Sequence, residues 1–443
     1  MAVLTNYGSI QGIQKEGYTV YKGIPYAAPP VGELRWKAPK ALTPWEGVYH
    51  ADTFGAMSIQ SLPDPSHPIT GRFHKEFYSN PEFIPPMSED CLYLNIWAPD
   101  GAKDAKLPVA FWIHGGGFGG GFGSEMEFDG EAFCKKGVIL VTINYRVGIL
   151  GFLAHPWLNQ ENERGISGNY GILDQIAALT WVYENIEAFG GDKNNITVFG
   201  QSAGSMSTQV LVSSPLTGNM IAKAILQSGL DCEKNFLYTP TLEEEAQLGE
   251  LFTELAGADN IDALRGLSTE EIMAAKGRMD EKTWQMGKGI VVVPNVDGYV
   301  LTEKVSGVYK KGTMKAIPYM AGCVTNDLGT KPEEEKQKNP GDILEECISW
   351  CQKQEELGRR AYAYHFARRL PGDDWGAFHS SELWYTFGTL SRCWRPMEHH
   401  DYEISEEMVT CWTNFMKTAN PGGEGAGGFW PCTREDPFVK VFE

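Results

Sequence analysis

The residues with the most evident chemistry are Gly200-Gln201-Ser202-Ala203-Gly204. The apolar run Ile196-Thr197-Val198-Phe199 precedes them, and a helix-like run from Ser205 to Leu211 follows. A Gly-x-Ser-x-Gly string between a strand and a helix predicts a nucleophile elbow. The turn is so tight that side chains two residues before and after Ser202 would collide, which explains glycine at both places. Ser202 is then held in a strained backbone conformation with its hydroxyl above the sheet. The Ala203 N–H, at the start of the next helix, points where an oxyanion would form. The plain alternative is a chance string of common residues. The strand before it and the helix after it argue for the elbow.

A second motif, His114-Gly115-Gly116-Gly117-Phe118, follows the strand-like Pro108–Ile113. Glycines let backbone N–H groups approach a ligand without Cβ obstruction, so consecutive amides can aim at one developing negative charge. Gly115-x-Gly117-x-x-Gly120 also matches a dinucleotide fingerprint. That fingerprint needs a helix under the pyrophosphate, and Gly121-Phe122-Gly123-Ser124 reads as loop instead.

A serine nucleophile needs a base and an acid, and in this strand–elbow–helix context they follow in the order Ser, acid, His. Four of the nine histidines lie beyond Ser202. His365 falls inside the strand-like Ala361–Phe366, and His399 and His400 sit in a charged stretch that reads as solvated. His379 lies in a loop past that strand, where open α/β sheets place their chemistry. The acid belongs in the loop after Ile317–Gly322, where Asp327 is the first carboxylate; the run Glu333-Glu334-Glu335 reads as a solvated face. A carboxylate there would orient the His379 ring and stabilise its cation. The residues alone leave open whether Asp327 or another carboxylate does so, since an Asx turn before Leu328-Gly329 also accounts for it.

The elements that must position these groups are legible as apolar runs. They are Cys91–Trp97, Pro108–Ile113, Val138–Asn144, Asn195–Phe199, Ala222–Gln227, Ile317–Gly322 and Ala361–Phe366. Near-continuous apolar strands fit a sheet covered on both faces. Ile172, Ile176, Leu179, Val182 and Ile186 recur at helical steps. Glu243–Leu255, Thr269–Met279, Asp342–Glu356 and Glu403–Thr418 also read as helices. The pattern predicts a mostly parallel α/β sheet, preceded by short antiparallel strands over Tyr7–Tyr26. No linker or composition shift divides the 443 residues, so residues 1–443 read as one domain.

The net charge of −19 disfavours binding to nucleic-acid phosphates or to anionic membranes. No run of about 18 apolar residues is present, and the N-terminus lacks a basic and an apolar region. The nine cysteines are an odd number without dense spacing, which favours reduced thiols and a cytoplasmic location. Cys347-x-x-x-Cys351 has no companion ligands nearby, so no metal is expected. No organic cofactor is needed either; a serine nucleophile beside an oxyanion loop predicts a small-molecule acyl compound, such as an ester, as partner. Phe118, Phe122, Trp375 and Trp384 lie in or near the site loops and predict an apolar pocket for aromatic or short-acyl esters.

The motifs resemble those of the type-B carboxylesterases, which include cholinesterases and bacterial para-nitrobenzyl esterases. Glu89-Asp90-Cys91-Leu92-Tyr93-Leu94-Asn95-Ile96-Trp97-Ala98-Pro99 is similar to one family signature, and Phe189-Gly190-Gly191-Asp192 through Gly204 to the other. Tyr21-Lys22-Gly23-Ile24-Pro25-Tyr26-Ala27, Asn144-Tyr145-Arg146-Val147-Gly148 and Gly376-Ala377-Phe378-His379-Ser380-Ser381-Glu382-Leu383 match as well. The resemblance implies an α/β-hydrolase fold, a Ser202–His379–acid triad and an oxyanion hole from the Gly116, Gly117 and Ala203 amides. Asp327 stands where relatives usually carry a longer Glu. Gln201 replaces a common Glu, which removes a charge beside the nucleophile and argues against recognition of a cationic substrate. Gln201 is counted with the aromatic set as a substrate contact. Cys91 has no upstream partner, and the stretch from Gly329 to Trp350 is shorter than in typical members. A feruloyl-type esterase is one alternative. A non-catalytic binding module is another, although the neuroligin-like modules lose the nucleophile that is present here.

Overall fold

A computed structural model describes residues 2–68, 70–234, 239–328, 341–423 and 428–443. Glu333–Glu335 and most of the shortened Gly329–Trp350 stretch lie outside the described residues.

Among the described residues, thirteen strands form two sheets. In chain order they are β1 (Val3–Thr5), β2 (Gly8–Gln11), β3 (Ile13–Gln14), β4 (Tyr18–Pro25), β5 (Val48–His50), β6 (Tyr93–Pro99) and β7 (Leu107–Ile113). They continue as β8 (Ile139–Ile143), β9 (Gly191–Gln201), β10 (Lys223–Gln227), β11 (Tyr319–Val324), β12 (Ala361–Phe366) and β13 (Val439–Phe442). The large sheet has ten strands in the order β13-β12-β11-β10-β9-β7-β8-β6-β4-β3. Neighbours from β13 to β8 are parallel, while β8–β6, β6–β4 and β4–β3 are antiparallel.

Every residue of β8, β10, β11 and β12 is buried, as a parallel sheet covered on both faces requires. Alternation along β7 sends Val109, Phe111 and Ile113 into one apolar core and Ala110 and Trp112 into the other. Ile172, Leu179 and Val182 of the helix Tyr170–Asn185 pack in the first core. Met408, Trp412 and Phe415 of the helix His399–Thr418 pack in the second. The first helix is tied to the loop after β8, because Arg146 Nε and Nη2 each donate to Asp174 at 2.7 Å in a fully buried pair.

The strands within Tyr7–Tyr26 pair antiparallel, as their sequence predicts, but they divide between two sheets. β1 and β2 pair antiparallel, but β5 joins them in parallel to make a separate three-stranded sheet. β3 and β4 instead extend the edge of the large sheet. The chain changes sheets at Gly12, where a Cβ would lie 2.5 Å from the Val20 carbonyl oxygen.

Strand register aligns the ends that carry chemistry. Ile113 of β7 lies beside Gly200 of β9, and Gln201 beside Gln227 of β10. Gln227 lies beside Gly322 of β11, and Gly322 beside Tyr364 of β12. The loops bearing Gly116, Ser202, Asp327 and His379 therefore leave the same carboxyl edge of the sheet, the usual site of chemistry in open α/β folds.

Candidate active site

Ser202 sits between β9 and the helix Ala203–Ser213 with φ 57° and ψ −126°. A non-glycine residue there is strained, at a cost on the order of 1–3 kcal/mol, and persists only where its surroundings enforce it. They do so here. A Cβ on Gly200 would lie 2.4 Å from the Gly204 carbonyl, and one on Gly204 would lie 2.0 Å from the Ile113 carbonyl oxygen. The Ser202 N–H donates to the Gln227 carbonyl at 2.8 Å, which fixes the turn to β10.

His379 and Asp327 meet from neighbouring loops. The ring Nδ1 lies 2.5 Å from Asp327 Oδ1, a short charge-assisted contact. Asp327 also accepts from the Leu328 N–H at 2.9 Å and the Val324 N–H at 3.2 Å. The shorter Asp reaches the ring because the two loops are clamped together. The Asn326 N–H donates to the Ala377 carbonyl, and the Ala377 N–H donates back to Asn326 Oδ1 at 2.9 Å. Gly376 has φ 75°, and a Cβ on it would stand 2.3 Å from Asn326 Oδ1. Burial pushes the His379 imidazolium down, but Asp327, by charge and hydrogen bond, and the charge of Glu382 raise it further, so the net shift is upward from 6.5. Glu382 is itself buried; desolvation and the Asp327 charge raise its carboxyl to about 7, against the pull of His379.

The other ring nitrogen, His379 Nε2, faces the Gln201 amide nitrogen at 3.3 Å. The Ser380 hydroxyl donates to Gln201 Oε1 at 3.1 Å, which turns the amide N–H group toward the ring. The ring is thus held against the residue that precedes Ser202. Hydrogen bonds at unliganded catalytic sites are often loose and tighten when substrate binds.

On the other side of the elbow, Gly116 has φ 102° and Gly117 φ 61°. A Cβ on Gly116 would strike the Gly120 carbonyl oxygen at 2.3 Å. Ala203 opens its helix, so its N–H is one of the orphan donors of a helix N-terminus. Gly117, Phe118, Ser202 and Ala203 line a cavity of about 480 Å³. Met206, Leu248, Ile290, Val291, Val293 and Leu328 supply most of its apolar wall. A second cavity of about 500 Å³, against Trp36, Tyr170 and Tyr299, is lined by neither Ser202 nor His379.

The model of a family described as "Carboxylesterase family" matches residues 1–345 and 341–441. The chain belongs to the carboxylesterase family. It is 33% identical to the para-nitrobenzyl esterase of Bacillus subtilis (strain 168) over 98% of this chain and 93% of that one. It is 41% identical to the fumonisin B1 esterase of Sphingopyxis macrogoltabida over 72% of this chain, a match spanning 54% of that protein. Among solved structures, a "thermophylic PNB esterase" superposes with TM-score 0.85 at 30% identity, covering 100% of this chain and 95% of that one. The fold is that of the α/β-hydrolases, and the reaction class is carboxylic-ester hydrolysis.

Within this carboxylesterase the aromatic expectations divide. Phe118 lines the cavity beside Ser202, with φ 59°. Phe122, Trp375 and Trp384 are not among the residues that line it. Phe122 is buried against Tyr78, Trp375 stacks on Phe378 at 4.0 Å, and Trp384 stacks on Phe77 while donating to Glu76. Each satisfies its ring by packing, the commoner role of aromatics near loops. Gln201 is likewise absent from the cavity wall and touches His379 instead. Asn326 and Glu382 escaped the sequence reading, because nothing in their spacing tells a loop Asn that clamps from one that turns. His365 is buried in β12 against the Thr325 hydroxyl, away from Asp327's pairing with His379. Among the described residues, no group of three or more His, Cys, Asp or Glu is placed to hold a metal ion, and no helix is long and apolar enough to cross a membrane. Cys91, Cys347 and Cys351 are buried free thiols.

Proposed function

We propose that this carboxylesterase hydrolyses small to medium esters through an acyl-enzyme on Ser202. The observation that carries the reading is the short Asp327–His379 contact, with the ring against Gln201, the residue before a strained serine that lines a cavity. His379 Nε2 takes the Ser202 proton as Oγ attacks the ester carbonyl. Asp327 keeps the ring's Nδ1 protonated and stabilises the imidazolium. The Gly116, Gly117 and Ala203 amides receive the oxyanion, each such donor supporting catalysis by roughly 10²–10³. His379 then gives its proton to the leaving alcohol. Water repeats the cycle and releases the acid.

The wall of the cavity is largely apolar and its volume suits an aromatic or short-acyl group, with Phe118 the aromatic in contact. Steady-state kinetics on nitrophenyl esters of increasing acyl length tests both claims. Ser202→Ala is expected to lower kcat/KM by about 10⁴ or more. Retention of activity within tenfold contradicts the serine mechanism, and a large advantage for long-chain acyl esters contradicts the size limit.

A further inference from the structure

Two ionisable groups in the wall of the Ser202 cavity have no part in the acyl transfer just described. Glu245, on the helix Leu242–Ala256, is only 3% exposed and lines that cavity. Among the described residues, no protein group hydrogen-bonds its carboxyl. Its oxygens are not among the fully enclosed, unpartnered atoms, so a ligand in the cavity can meet them and supply a hydrogen-bond partner. Lys288 lies on the facing segment and is exposed. Among the described residues it has no carboxylate within ion-pair distance. Glu244, the other charged residue of the wall, accepts from the Thr241 N–H in a capping box at its own helix start.

We propose, resting on the serine-esterase reading, that Glu245 and Lys288 select esters carrying a second carboxylate, held by the Lys288 ammonium and the Glu245 carboxyl while the scissile carbonyl lies at Ser202. Charge decides between an anion and a cation as ligand. Burial, reinforced by Glu244 and opposed by Lys288, raises the Glu245 carboxyl to about 8. At pH 7 Glu245 is therefore mainly neutral and donates its O–H, beside the Lys288 ammonium. Both groups are donors and both fit an anionic oxygen. A cationic substrate would meet an ammonium and an uncharged acid. Above pH 8 Glu245 ionises, ceases to donate and repels the carboxylate.

The test compares kcat/KM for matched nitrophenyl and phenyl esters, each pair differing by one carboxylate. One pair carries it in the acyl half (mono-nitrophenyl adipate against nitrophenyl hexanoate). The other carries it in the alcohol half (4-acetoxybenzoate against phenyl acetate). Taking the ratio within a pair cancels the ionisation of His379. At pH 7 the carboxylate ester of one pair is expected to be favoured about tenfold, as a charged hydrogen bond supports. Lys288→Met brings that ratio near one. In the wild type the ratio falls between pH 7 and pH 9, whereas in Glu245→Gln, which keeps a neutral donor, it stays level. Turnover of the neutral esters with no preference in either pair overturns the proposal, as does a preference that survives in Lys288→Met. A wild-type ratio unchanged at pH 9 overturns the share given to Glu245. Failure of all four esters overturns the serine-esterase reading itself.

Discussion

At the scale of single residues, the Asp327 carboxylate holds the His379 ring through Nδ1 at 2.5 Å. Asp327→Asn removes the charge but keeps the size, and favours the wrong ring tautomer. Its kcat is expected to fall by about 10³–10⁴ with KM little changed, measured by steady-state kinetics. The pH profile follows from the ring's environment. Activity needs the neutral ring, so it is lost as pH falls through the His379 pKa. Asp327 and Glu382 outweigh burial and raise that pKa from 6.5, so the acid limb of kcat/KM is expected above pH 6.5. A limb well below pH 6.5 contradicts the arrangement. Ser202 was legible because its neighbours in sequence are its neighbours in space. His379 and Asp327 needed chain order and the strand before each. The contact between Gln201 and His379 was not legible, since 178 residues separate the partners.

At the scale of elements, two devices hold the site. The first is the elbow, where β9 and the next helix approach closely enough that Gly200 and Gly204 admit no Cβ. Gly204→Ala is expected to destabilise the fold by about 3 kcal/mol or more, because its obstacle at 2.0 Å is backbone and has no rotamer to shift. Urea denaturation checks this. The second is the reciprocal pair between Asn326 and Ala377, which brings the acid loop to the histidine loop. Asn326→Ala leaves the Ala377 N–H without its acceptor and should cost about 1–3 kcal/mol. It should also lower kcat by loosening the Asp327–His379 contact. Unchanged kcat in a folded Asn326→Ala protein removes the clamp from the account. The buried parallel strands were readable from their apolar runs, and the helices from their periodicity. The pairing of β5 with β2 was not, because the choice of a sheet partner is made by tertiary contact rather than by the strand's own residues.

At the scale of the molecule, the ten-stranded sheet draws on residues from Ile13 to Phe442 and delivers four loops to one edge. Its integrity depends on buried polar links as well as on apolar cores. Arg146→Met leaves Asp174 as an uncompensated buried charge and is expected to cost about 3–5 kcal/mol in the unfolding free energy. An unfolding midpoint equal to that of the wild type would show that the pair is dispensable. The measurement that bears most directly on the central claim is intact mass after reaction with a fluorophosphonate probe, followed by peptide mapping. The account predicts one adduct per chain, located on Ser202, formed by the wild type and absent in Ser202→Ala. A native protein that takes no label, or one whose label maps to another residue, contradicts it.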